Sequence, residues 1–247
     1  MLSRMFATAG FLLLAVLSLP IHTIQAQSSD QLQGAWKLMT PEGSTHLLVL
    51  SGDYFSWTQY SSKDGAFIST EGGTWTKDGK NFTITYEFNT AEKEKVGSSK
   101  SLKLVHQPKK QIIKIKGDGA PKGKWADIDQ GKTTPLTGAW LISGRKRNGE
   151  VGRINTDRPR KTMKILSGTQ FQWIAYNTET KQFFGTGGGS YTAEGGKYVE
   201  NIGFFSRDNS RVGASLSFDF AVEEGDWIHS GKSSKGAPLY EIWSKRK

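Results

Sequence analysis

Few side chains in this sequence are placed to do chemistry, and the clearest is a carboxylate. In Tyr198-Val-Glu-Asn-Ile-Gly-Phe204 apolar and polar residues alternate, which puts Tyr198, Glu200, Ile202 and Phe204 on one face of a strand. A carboxylate on such a face costs on the order of several kcal/mol unless it is paired, neutralised or hydrated. Glu200 therefore reads as half of an internal ion pair, as an anchor for a ligand, or as a general acid with a raised pKa. Glu241 is a second candidate carboxylate, with Asp127 as its expected counterpart earlier in the chain. The histidines beyond the leader, His46, His106 and His229, lack the spacing of a metal pair and read as ordinary polar side chains. No Gly-x-Ser-x-Gly nucleophile elbow occurs. Asp226-Trp-Ile-His-Ser-Gly-Lys-Ser233 ends like a phosphate-binding loop but begins with Asp226 where glycine is required, and a strand rather than a helix follows. There is no cysteine. No catalytic residue, metal ligand or cofactor is assigned.

The elements that position these residues occur twice. Leu50-Ser-Gly-Asp-Tyr-Phe-Ser-Trp-Thr-Gln-Tyr60 returns as Leu166-Ser-Gly-Thr-Gln-Phe-Gln-Trp-Ile-Ala-Tyr176, at a constant offset of 116. Over residues 50–76 against 166–192, 11 of 27 positions are identical. Leu32-Gln-Gly-Ala-Trp36 returns as Leu136-Thr-Gly-Ala-Trp140 at an offset of 104, so the second copy carries 12 extra residues. A repeat of this length is a duplicated domain rather than a solenoid unit of roughly 20–50 residues. The copies span 27–132 and 133–247, joined near Gly131-Lys-Thr-Thr-Pro135. In the first copy Ile84 stands where the second has Glu200.

Residues 1–26 have the pattern of a secretory signal peptide: Arg4, then an apolar run from Phe6 to Leu19, then Ile24-Gln-Ala26 as the cleavage site. Secretion or export to a periplasm is expected, without a lipid-modified cysteine. The apolar run is 14 residues, short of the roughly 20 that a membrane span needs. Of the net charge of +10, +6 is local: residues 145–164 hold eight basic side chains against Glu150 and Asp157. Nucleic acid is not an expected partner, since no basic platform is interleaved with aromatics.

Strand signals dominate. Asn81-Phe-Thr-Ile-Thr-Tyr-Glu-Phe88 and Ser215-Leu-Ser-Phe-Asp-Phe-Ala-Val222 alternate with period two, and glycine turns separate such runs. In the second copy strands are expected near 137–142, 161–167, 169–176, 183–192, 196–206, 212–222, 226–231 and 238–244, with eight at equivalent places in the first. The fold expected is all-β: two tandem eight-stranded antiparallel up-and-down barrels after a signal peptide. Leu-x-Gly-x-Trp opening an eight-strand meander resembles the first motif of lipocalins and their calycin relatives. The resemblance implies that Trp36 and Trp140 close one end of each barrel, and that a basic residue beyond the last strand, Arg246, stacks over Trp140. The family's Thr-Asp-Tyr motif and its usual disulfide are missing.

That reading implies a non-catalytic binding protein for a small apolar or amphipathic molecule, held mainly in the second barrel. Trp173, Tyr198, Glu200, Phe204, Phe218 and Phe220 are its candidate interior contacts, with Phe55, Trp57, Phe82, Tyr86 and Phe88 equivalent in the first copy. Inward aromatics suit a packed core as well as a lined cavity, so the alternatives are an envelope interaction module with filled barrels and a barrel enzyme using Glu200. The glycines of Gly185-Thr-Gly-Gly-Gly189 let a strand bend, or leave room for a ligand. The insertion 145–161 is expected to be a flexible charged lid, with Arg145, Arg147, Arg153, Arg158 and Arg160 available to an anion or an acidic surface.

Overall fold

The structure, a computed structural model, describes residues 31–233 and 236–246; the signal peptide expected over residues 1–26 lies outside the described residues. Period-two sequence becomes two closed antiparallel barrels. The first runs through β1 (Gly34–Met39), β2 (Ser44–Ser51), β3 (Tyr54–Ser61), β4 (Phe67–Asp78), β5 (Asn81–Asn89), β6 (Ser99–Gln107), β7 (Ile112–Lys116) and β8 (Trp125–Asp127). β8 returns to β1, Asp127 opposite Trp36, and leaves no edge. The second begins with β9 (Gly138–Arg147), which turns at Asn148-Gly149 into the short β10 (Glu150–Arg153). It continues through β11 (Arg160–Leu166), β12 (Gln170–Asn177), β13 (Phe183–Glu194), β14 (Lys197–Phe205), β15 (Ser215–Glu223), β16 (Asp226–Lys232) and β17 (Pro238–Lys245), and β17 closes on β9. Part of the basic insertion is thus a β-hairpin rather than an irregular loop. Ile154 beyond it packs on the second barrel's core, and its N–H donates to Ser143 O. No helix among the described residues is long and apolar enough to cross a membrane.

Trp36 and Trp140 are buried at matching places, and each indole N–H donates to the carbonyl four residues earlier, Leu32 O at 2.9 Å and Leu136 O at 2.8 Å. The cation over Trp140 is not Arg246. Lys245 pairs with Trp140 across the β17–β9 closure, and its Nζ lies 5.5 Å from the ring centroid. Arg246, one residue on, faces the other way. It forks onto Glu87 of the first barrel (2.8 and 2.5 Å) and lies 4.1 Å over the Tyr54 ring.

A bulge explains a second departure. In β14 Gly188 pairs with Phe204 but Gly189 with Ile202, so Gly203 is an extra residue and reverses the alternation beyond it. Phe204 therefore points out of the barrel and Phe205 points in. Glu87 is the extra residue in β5, and Phe88 likewise leaves the interior. Gly189 needs its positive φ of +157° here, since a Cβ would lie 2.0 Å from Asn201 O.

The displaced rings build a third core between the barrels. Leu47, Val49 and Phe88 meet Met163, Ile165, Ile174, Tyr176 and Phe204. The contacts are reciprocal under the repeat: Tyr60 stacks on Phe204 at 5.2 Å as Tyr176 packs on Phe88 at 5.0 Å, and Phe67 stacks on its own counterpart Phe183. Gln172 joins Thr186 of its own barrel to Thr70, the equivalent residue of the other. Near the linker, buried Asp129 accepts from Ala35 N, Ser167 Oγ, Gly168 N and Thr169 Oγ1, at 2.5–3.0 Å. Losing this acceptor strands donors from both barrels, and hydrogen bonds to a charged group are worth about 1.5–3 kcal/mol each. Asp129→Ala should cost more than about 3 kcal/mol. Denaturation followed by probes in each barrel should show both transitions moving together; a shift confined to one barrel would contradict the shared core.

Candidate functional site

The second barrel holds a cavity of about 390 Å³. Its wall combines Trp173, Ile202, Phe205, Leu216, Phe218 and Trp243, contributed by β12, β14, β15, β17 and the bulge that turns Phe205 inward. Lys164 and Glu200 face it from opposite sides, on β11 and β14, with Lys164 Nζ 2.9 Å from Glu200 Oε1. Both side chains are nearly buried, at 5 % and 7 % exposure. Around the ammonium stand three aromatic rings, Trp227 at 4.8 Å, Tyr198 at 4.9 Å and Trp243 at 5.2 Å to their centroids. This cage offsets part of the cost of taking a cation out of water.

Beside that pair, Glu241 accepts from Trp243 Nε1 at 3.2 Å, pairs with Arg145 at 3.2 Å and lies 3.4 Å from His229 Nδ1. Burial first, and the Lys164 charge second, hold His229 below the ordinary imidazole range. Burial would raise the Glu241 carboxyl, but the His229 hydrogen bond and the charges of Lys164 and Arg145 outweigh it, so it lies below its usual range. Neutral His229 with its proton on Nδ1, facing a carboxylate, leaves Nε2 as an acceptor. Among the described residues Nε2 has no hydrogen-bond partner.

The mouth is cationic. Arg160 Cζ lies 3.7 Å over the Phe184 ring, while Arg207 donates from Nε (2.8 Å) and Nη2 to the carbonyl of the same residue. Among the described residues neither arginine has a carboxylate within 4.0 Å. Burial, then repulsion from Arg158, Arg207 and Arg145, lowers the Arg160 pKa. Arg211, paired to Asp208 at 3.4 Å, also borders the opening.

Of the expected interior contacts, Trp173, Glu200 and Phe218 line the cavity. Tyr198 lies behind it in the Lys164 cage, and Phe220 packs on the core next to His229 without lining the space. Phe204 belongs to the inter-barrel core. Among the arginines, Arg145 and Arg160 reach the cavity. Arg147 and Arg158 border a smaller groove of about 160 Å³, and Arg153 is tied to Asp226 at 2.8 Å. The glycines of β13 leave no space for a ligand: a Cβ on Gly187 would lie 2.7 Å from both Trp173 and Phe205, and one on Gly185 would meet Arg207.

The sequence reading missed Lys164, and treated His229 as ordinary. Both emerge from the repeat, as Glu200 did. Leu48 occupies the place of Lys164 and Ile84 that of Glu200, each at the 116 offset. Ile115 pairs with Leu104 as His229 pairs with Phe220, so those two also correspond. Leu48, Ile84 and Ile115 are all core residues of the first barrel. Asp127 is not the counterpart of Glu241: pairing matches Trp125 to Trp243, which sets Gly123 against Glu241 and Asp127 against Lys245. The first barrel keeps a recess of about 200 Å³, bordered by His46, Trp57, Glu71 and Lys100. No protein-family model and no curated protein sequence matches this chain.

Breaking a buried ion pair costs about 3–5 kcal/mol, whereas replacing both partners with apolar residues is often neutral or stabilising. Lys164→Leu and Glu200→Ile should each destabilise by about that amount, and the double variant, which copies the first barrel, should recover most of it. Additive losses in urea titrations would contradict the pairing. His229 tests the pH response. Its folded pKa lies below the ordinary value of about 6.5, so its contribution is complete above that pH and is lost as pH falls toward the folded value. His229→Ile should lessen the fall in denaturation midpoint between about pH 7 and pH 5; an unchanged fall would contradict a buried neutral imidazole.

Proposed function

We propose that this protein is an exported, lipocalin-like binding protein whose second barrel holds a small anionic amphiphile without chemical change. One observation carries the reading: an aromatic-walled cavity opens beneath Arg160 and Arg207, which no carboxylate of the described residues neutralises. An apolar body gains by leaving water against Trp173, Phe205, Phe218 and Trp243. An anionic group held at the mouth relieves the repulsion among the arginines and forms charge-assisted hydrogen bonds. Ligand pockets typically span about 300–1,000 Å³, so the space suits a compact molecule. The first barrel, with Leu48, Ile84 and Ile115 packed into its core, is a supporting copy. Glu200 is paired with a lysine rather than a second carboxylate, which favours recognition over acid–base chemistry.

Full-length mature protein titrated with an anilinonaphthalene sulfonate should show one saturable site that quenches tryptophan emission. Removing both mouth arginines (Arg160→Ala with Arg207→Ala) should weaken it at least about tenfold, as expected for losing charge-assisted contacts worth about 1.5–3 kcal/mol each. Leu216→Trp should abolish it by filling the cavity, with the circular dichroism spectrum unchanged. Affinity indifferent to all three substitutions would contradict the proposal.

A further inference from the structure

The second barrel carries more polarity inside than an anionic amphiphile needs. Three places filled by Leu48, Ile84 and Ile115 in the first barrel hold Lys164, Glu200 and His229 in the second, and all three border one cavity. Closing the barrel does not call for them, because the first copy closes with apolar residues there. A buried ion pair rarely adds stability over an apolar pair of like volume, so fold stability does not explain the exchange either.

The chemistry of the cluster limits what it can recognise. Its charges are balanced: Lys164 against Glu200, Arg145 against Glu241, with His229 neutral. A second anionic group on the ligand would meet Glu200 and Glu241, and a cationic one would meet Lys164 and Arg145. Yet hydrogen-bonding capacity is left over. Lys164 has three ammonium protons and one hydrogen-bonded carboxylate, Glu200, with three aromatic rings around it and its charge felt by His229 and Glu241. His229 Nε2 is an acceptor with no partner among the described residues, in a side chain that is 2 % exposed. A donor and an acceptor on residues that border one cavity, in a cluster with no net charge, match a hydroxyl group.

Resting on the reading of the mouth as the seat of an anion, we infer that the ligand is a hydroxylated acid. Its anionic group lies at Arg160 and Arg207, and a hydroxyl on its inner end accepts from Lys164 and donates to the free acceptors of the Glu200–His229 cluster. The body between them is aliphatic or aromatic, since the wall offers both kinds of surface.

The test compares matched probes on the full mature chain by isothermal calorimetry: ω-hydroxydecanoate against decanoate, and hydroxyphenylpropanoate against phenylpropanoate. The hydroxylated member of at least one pair should bind about tenfold tighter or more, the size expected for a well-made hydrogen bond in a buried site. Which pair shows the larger ratio identifies an aliphatic or an aromatic body. In the Lys164→Leu/Glu200→Ile variant, whose fold is checked by circular dichroism, the two members should bind alike. Equal or weaker binding of both hydroxylated probes to the native chain, or a preference that survives in the variant, overturns the inference. If the arginine-dependent affinity persists while the preference is absent, the hydroxyl alone is refuted. If no probe binds, both readings fall.

Discussion

Neither barrel can present all of its outer face to water, and much of the structure follows from that. Leu47 and Val49 on β2 and Met163 and Ile165 on β11 are buried although they face away from their own barrel interiors. Their burial requires the partner copy. The repeat makes the contact self-complementary: the same residues meet from both sides, as in an isologous dimer interface, with Phe67 stacked on its own counterpart Phe183. Asp129 and the Glu87–Arg246–Tyr176 cluster then hold the ends with hydrogen bonds that the pseudo-symmetry does not repeat. Burial raises the Tyr176 phenol pKa, and the Glu87 carboxylate raises it further, so the tyrosine stays a donor in that cluster.

With the outer faces committed to each other, the copies are free to differ inside. The first is filled where the second is polar and open. Lys164 and Glu200 are separated by 36 positions in the chain, yet both replace aliphatic residues, and each is tolerable only because the other is present. His229 and Glu241 extend the same exchange along β16 and β17. The glycines of β13 take another part. They let Trp173, Phe205 and Arg207 crowd the strand, which shapes the wall and brings the mouth arginines together around Phe184.

Much of this was legible in the residues alone. The duplication, the strand positions and the closed antiparallel barrels follow from a constant offset and a period of two, both of which survive as long as no residue is inserted. Single-residue irregularities were not legible. The bulges at Glu87 and Gly203 reverse the facing of Phe88 and Phe204, and their only local mark is the glycine at 203 inside a strand pattern. The same sensitivity exchanged Lys245 for Arg246 over Trp140. Lys164 was hidden because Met163 and Ile165 beside it are also buried, against the other barrel, so alternation did not reveal which face was interior. Comparison with Leu48 would have shown it. The β9–β10 hairpin has almost no apolar pattern, and its order comes from strand pairing at the barrel edge.

The central claim is that the second barrel is a receptor and the first, apolar at the matching positions, is its support. A crystal structure of residues 27–247 grown with ω-hydroxydecanoate tests it most directly. The account predicts one molecule inside the second barrel, its carboxylate at Arg160 and Arg207 and its hydroxyl against Lys164, with the first barrel unoccupied. Ligand density in the first barrel or between the barrels, with the second barrel closed over its own side chains, would contradict it.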